Sequence, residues 1–157
     1  MPAMTNPLDL FRNVTFWSAS CSWLVAQTVK MVRHLSRTGR IDFAYMVSLG
    51  GMPSAHSAMV CGLATSVGIT AGFGSQVFII AFAFALVVMF DASTVRRAAG
   101  TQARLLNQIV DELFKEHHLS QSKLKELLGH TRKEVFVGLL VGVAVAFLIN
   151  GLVAVYR

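Results

Sequence analysis

Residues 135–155, VFVGLLVGVAVAFLINGLVAV, contain a single polar side chain, Asn150. A helix needs roughly 20 mostly apolar residues to cross the hydrocarbon of a bilayer, so this stretch predicts a membrane span. Residues 77–90 are also apolar and extend through Asp91 to Ala92 and Ser93. Residues 55–71 are rich in Ala, Gly, Ser and Thr, the small residues that let membrane helices approach closely. Residues 14–31 carry Trp17 and Trp23, which suit anchoring at the membrane interface. The expected fold is all-α, a polytopic membrane helix bundle of about four spans plus an interfacial amphipathic helical segment. One membrane-embedded domain over residues 1–157, with no soluble domain appended, accounts for the chain.

The composition agrees, since 54% of the 157 residues are hydrophobic and only 14% charged, outside the ordinary soluble range. The net charge of +6 is placed unevenly. Lys30, Arg33, Arg37 and Arg40 follow the first expected span, and Arg96, Arg97, Arg104, Lys115, Lys123, Lys125, Arg132 and Lys133 lie between the third and fourth. Four spans put both groups on one side of the membrane, while residues 72–75 on the other side hold no cation. The positive-inside rule assigns the basic segments to the cytoplasm and both termini to the opposite side. Topology and attraction to anionic lipid thus account for the charge, and no nucleic-acid partner is expected. The start, MPAMTNPLDLFRN, is neither basic nor followed by a convincing cleavage site, so no removable signal peptide is expected. Cys21 and Cys61 fall within apolar helices and read as buried thiols, with no disulfide framework and no metal spacing.

Along the chain, the first helix is expected to pass Lys30 toward His34 and to break over residues 36–39. A short connection with an apolar face follows over residues 40–49. Gly50 and Gly51 supply backbone freedom. Pro53 suits the first turn of the next helix and Ser54 its cap. Beyond Asp91 the pattern turns amphipathic: Leu105, Leu106, Ile109, Val110, Leu113 and Phe114 repeat at helical spacing among charges. This section is expected along the membrane interface. Residues 117–120 read as a break, Ser120 as the cap of a second short helix through Leu128, and Gly129 as its stop.

Two segments can carry chemistry. In GGMPSAHS, residues 50–57, the helix mouth after Pro53 and Ser54 presents unpaired N–H groups that favour phosphate, with His56 beside them as a proton donor. A capped membrane helix with an incidental histidine fits the same residues. In GHTRKEV, residues 129–135, Glu134 stands one helical turn after His130 and can orient it as a nucleophile. Thr131 and Glu134 also form a capping box, and the two roles can coexist. A phosphoryl group gathers negative charge in its transition state, which calls for fixed cations. Lys30, Arg37, Arg96 and Arg97 are the best placed, with Arg40 as an alternative. Asp91 reads as an ion-pair partner of Arg96 or Arg97, as a group orienting substrate, or as the end of its span. His117 and His118 lack convergent metal-ligand spacing, so no metal and no cofactor are expected.

Taken together, GGMPSAHSA at 50–58, FDASTVRRAAGTQA at 90–103 and LLGHTRKEVFVGLLVG at 127–142 resemble a divergent branch of the type 2 phosphatidic acid phosphatase superfamily. This is the acid phosphatase and vanadium-dependent haloperoxidase-related family. The resemblance runs over residues 26–142. It implies a phosphohistidine mechanism with His130 as nucleophile, Glu134 as its orienting partner, His56 as general acid and Ser54 at the phosphate. Lys30 and Arg37 match the lysine and arginine of the first motif, six residues between them. Thr38 stands where that motif has proline, Ala55 where the second has glycine, and Glu134 where the wider superfamily has aspartate. The third motif's arginine falls at Leu124, so Arg96 or Arg97 would have to replace it.

The expected activity is that of a metal-independent lipid-phosphate phosphatase acting at the cytoplasmic face. Phosphatidylglycerophosphate is favoured over a polyprenyl pyrophosphate presented outside. The alternative is a non-catalytic lipid-phosphate binder or scaffold on the same fold. A transporter is less favoured, because four short spans offer little room for alternating access. The expected partners are a lipid phosphate and the bilayer, and a homo-oligomer is compatible with this reading.

Overall fold

Four of the five α-helices begin where a side chain satisfies one of the first N–H groups. The computed structural model describes residues 6–40, 51–113 and 130–156, with the backbone alone at 95–97, 99 and 111–113. A 3-10 turn, Pro7–Arg12, leads into α1 (Val14–Thr38), α2 (Ala55–Ala71), α3 (Gln76–Ser93), α4 (Val95–Leu113) and α5 (Arg132–Val155). No strand occurs among the described residues. Asn13 caps α1, Ser54 caps α2, Ser75 caps α3, and Thr131 with Glu134 forms a complete capping box on α5.

Two local expectations are corrected. Pro53 lies one residue before the Ser54 cap, outside the first turn of α2. Helix α1 also runs through the expected break. The hydroxyls of Ser36 and Thr38 donate back to the carbonyls of Arg33 and His34, both at 2.9 Å, and so stay within the helix. The stop comes at Gly39, whose φ of 67° needs a left-handed residue. The segments read as a short connection over 40–49 and a second short helix over 120–128 lie outside the described residues, apart from Arg40.

Helix α2 is central and packs on α1, α3 and α5. Its close approaches depend on missing side chains. A Cβ on Gly62 would fall on Ser22, one on Gly138 on the Ser54 carbonyl, and one on Gly142 on the Ala58 carbonyl. Small residues of this kind let apolar helices meet where water supplies no driving force. At one end of the bundle, Asn150 Nδ2 donates to Ser18 Oγ (3.3 Å), Ser66 Oγ (3.1 Å) and the Ala146 carbonyl (2.8 Å). Ser66 Oγ in turn donates to Thr15 Oγ1 at 3.1 Å, so the cluster joins α1, α2 and α5.

The outside of the bundle is hydrocarbon. Ile80 and Val87 of α3 are 70% and 67% exposed, as is Leu148 of α5 at 66%, a distribution that suits lipid and not water. Helices α3 and α5 are long and apolar enough to cross a membrane, and α2 is a shorter apolar helix. Of the tryptophans expected at the interface, Trp17 sits at the start of α1 with its indole N–H on the Phe11 carbonyl (2.8 Å). Trp23, half-buried, packs on the buried Ala26, Ala55 and Ala58, where three small residues leave room for its ring. Helix α4 follows α3 and, among the described residues, packs on it alone. Its Leu105, Leu106 and Ile109 are exposed, as an interfacial helix requires.

Gly142→Val should destabilise the bundle by about 1–3 kcal/mol, the usual cost of overpacking. Gly151, with nothing within 4 Å of an added Cβ, should accept alanine without loss. Thermal melting of the purified protein in detergent, followed by size-exclusion chromatography, compares the two variants.

Candidate active site

The C-terminal end of α1, the N-termini of α2 and α5 and the end of α3 meet at the bundle end opposite Asn150. Two backbone hydrogen bonds hold them there. The Ser54 N–H donates to the Glu134 carbonyl at 3.0 Å, and the His130 N–H donates to the Ala92 carbonyl at 3.1 Å. His130, one residue before the Thr131 cap, is therefore tied to α3 while its neighbours tie α5 to α2.

His130 is 2% exposed, and its Nδ1 lies 3.2 Å from Glu134 Oε2. The same oxygen accepts the Thr131 N–H at 2.8 Å. The capping and orienting roles of Glu134 thus coexist on one atom. The imidazole of His56 comes within 6.3 Å of that of His130, centroid to centroid, with the ring planes 60° apart. Residues 74 positions apart in the chain become neighbours because α2 and α5 begin side by side.

A cavity of about 550 Å³ opens beside this pair. Lys30, Arg33, His34, Arg37 and Thr38 line it from α1, Gly51 and Met52 from the approach to α2, and Thr131, Lys133 and Glu134 from α5. Gly51 has φ 90°, which lets the chain turn beside Lys30. Lys30 is 4% exposed and lines the cavity together with the Glu134 carboxylate. Four fixed cations thus face one carboxylate, an arrangement that attracts a multiply charged anion.

The structure sorts the residues expected at the site. His56, His130 and Glu134 come together, and Glu134 also joins Lys30 and Arg37 at the cavity. The two histidines are not among the residues lining that cavity, so Glu134 is the link between the two groups. Ser54 is fully buried and outside the lining. Its hydroxyl accepts from Ser57 N–H at 3.3 Å and Ser57 O–H at 3.1 Å, so it is used in building the helix mouth. Arg40 is exposed and also outside the lining. Asp91 stands half-buried in the last turn of α3, and Arg96 and Arg97 open α4, their side chains outside the description. Arg33, His34 and Lys133 were not picked out as site residues. The signal for the first two is the spacing of 30, 33, 34 and 37, which puts all four on one helical stripe.

The chain is an all-helical membrane protein with a histidine pair beside a cationic cavity at one end of its bundle. It belongs to the divergent PAP2 family, which matches residues 11–145. It is 36% identical over 147 residues to the uncharacterized membrane protein YuiD of Bacillus subtilis (strain 168), covering 87% of this chain and 93% of that one. No solved structure matches it.

Lys30→Met should weaken tungstate binding by about tenfold or more, since a charge-assisted hydrogen bond contributes about 1.5–3 kcal/mol. Arg40→Ala should leave it nearly unchanged. Isothermal titration at low ionic strength measures both.

Proposed function

We propose that this protein is a membrane lipid-phosphate phosphatase working through a phosphohistidine intermediate. The observation that carries the proposal is the approach of His56 to His130 at the helix mouths, with Glu134 on Nδ1 of His130. A carboxylate on Nδ1 holds the proton there and directs the lone pair to Nε2. Nε2 attacks phosphorus, an N–P bond forms, and the ester P–O bond breaks. His56, as imidazolium, gives its proton to the departing lipid alkoxide. Neutral His56 then takes a proton from water as its oxygen attacks phosphorus, the N–P bond breaks, and phosphate leaves. Lys30 and Arg37 offset the charge on the transferring oxygens. Arg96 or Arg97 supplies a further cation from the start of α4.

Sidedness follows from the placement of charge. The cationic cavity lies at the bundle end to which both basic segments attach. The positive-inside rule puts that end in the cytoplasm and both termini outside. A lipid phosphate made on that leaflet, such as phosphatidylglycerophosphate, is then the favoured substrate.

The second reading, a lipid-phosphate binder or scaffold without turnover, is favoured by one observation: neither histidine lines the cationic cavity. Phosphate release from a panel of lipid phosphates by the purified protein separates the two. Wild type should release phosphate and His130→Ala should release none. With p-nitrophenyl phosphate, whose leaving group needs no proton, His56→Ala should accumulate acid-labile phosphoprotein. Wild type without turnover on any lipid would overturn the enzymatic reading.

A further inference from the structure

Met52 and Lys133 line two cavities at once. The first is the cationic cavity of the site. The second, about 400 Å³, is completed by Arg132, Phe136 and Val137. Its charged members stand in the first turn of α5, and Met52, Phe136 and Val137 give the rest a hydrocarbon lining. Helical geometry explains the change of character. Glu134 and Gly138, four residues apart, lie on the side of α5 that meets α2. Lys133, Phe136 and Val137, three and four apart, share the adjoining stripe. That stripe passes from ammonium to hydrocarbon within about one turn, roughly 5 Å along the axis. Phe136 is 60% exposed, so no described helix covers it. A soluble phosphate ester would use only the first cavity. A surface running from cations directly into hydrocarbon fits a phosphate head joined to an acyl chain.

We propose that Met52, Phe136 and Val137 form a lateral doorway that seats the head-proximal carbons of a lipid phosphate's acyl chain. The head then lies among Lys30, Arg33, Arg37 and Lys133. This deepens the lipid-phosphate reading and rests on it. The lipid slides into the cavity from the side, between Met52 and α5, and keeps its chains in the bilayer. Met52 and Phe136 thereby select lipid over soluble phosphate.

The test uses the full-length protein in nanodiscs. The probes are a phosphatidic acid with a diazirine near the carboxyl end of one acyl chain and the matching phosphatidylcholine. After irradiation, peptide mapping should find phosphatidic acid on Met52, Phe136 or Val137 in clear excess over phosphatidylcholine. Orthovanadate should compete that labelling away. Labelling elsewhere, or equal labelling by both lipids, overturns the doorway. In Phe136→Ala the ratio of KM for dioleoyl to dihexanoyl phosphatidic acid should rise about fivefold, a partial loss of one side chain's burial. An unchanged ratio counts against the proposal. Labelling needs no turnover, so a protein that labels at the doorway and releases no phosphate refutes the phosphatase reading alone.

Discussion

The Ser54 N–H donates to the Glu134 carbonyl, and this one backbone contact joins the mouth of α2 to the first turn of α5. It can form only because Gly138, one turn further along α5, lets the two helices close on the Ser54 carbonyl. Both histidines of the pair and Glu134 sit within a few residues of that junction. His56 follows Ser54 by two positions and His130 precedes Glu134 by four. Neither histidine could be moved toward the other by its own helix alone. The distant Asn150 cluster matters to the site for the same reason, since it fixes α1, α2 and α5 against sliding past one another.

The apolar surface and the charged cavity are two results of one arrangement. Small residues on α2 draw the helices together, so large side chains such as Ile80, Val87 and Leu148 turn outward into lipid. Cations cannot follow them into hydrocarbon, because a charge at the bilayer centre is costly. Lys30, Arg33 and Arg37 therefore gather toward the C-terminal end of α1. Lys133 meets them from the first turn of α5. A cationic hollow at the edge of a membrane bundle is what this sorting produces, and membership of the divergent PAP2 family is consistent with it.

Much of this was legible in the sequence, and the reasons differ from element to element. Helix α5 declares itself because 21 residues with one polar side chain leave no other stable state in a bilayer. The caps at Ser54 and Thr131 are local, settled by hydroxyls and N–H groups within a turn. Pro53 was misjudged because general preference stood in for the actual start: the cap is Ser54 as expected, and Pro53 lies before it, outside the first turn. Ser54, expected at the phosphate from the motif, also accepts two hydrogen bonds from Ser57 within the helix mouth, a second use that the motif does not reveal. Arg33 and His34 lay on the same stripe as Lys30 and Arg37. The motif resemblance singled out only the two ends of that stripe. The meeting of the imidazoles was implied by the motif resemblance and by no local pattern, since it depends on a glycine contact and a backbone bond between helices far apart in the chain.

Glu134 Oε2 receives both the Thr131 N–H and the Nδ1 side of His130. Helix order and ring order are consequently a single degree of freedom. Any fluctuation that frays the opening turn of α5 also loosens Glu134's hold on the imidazole, and a ligand that steadies the ring steadies that turn. Occupancy at this end would be felt as rigidity along the span below it.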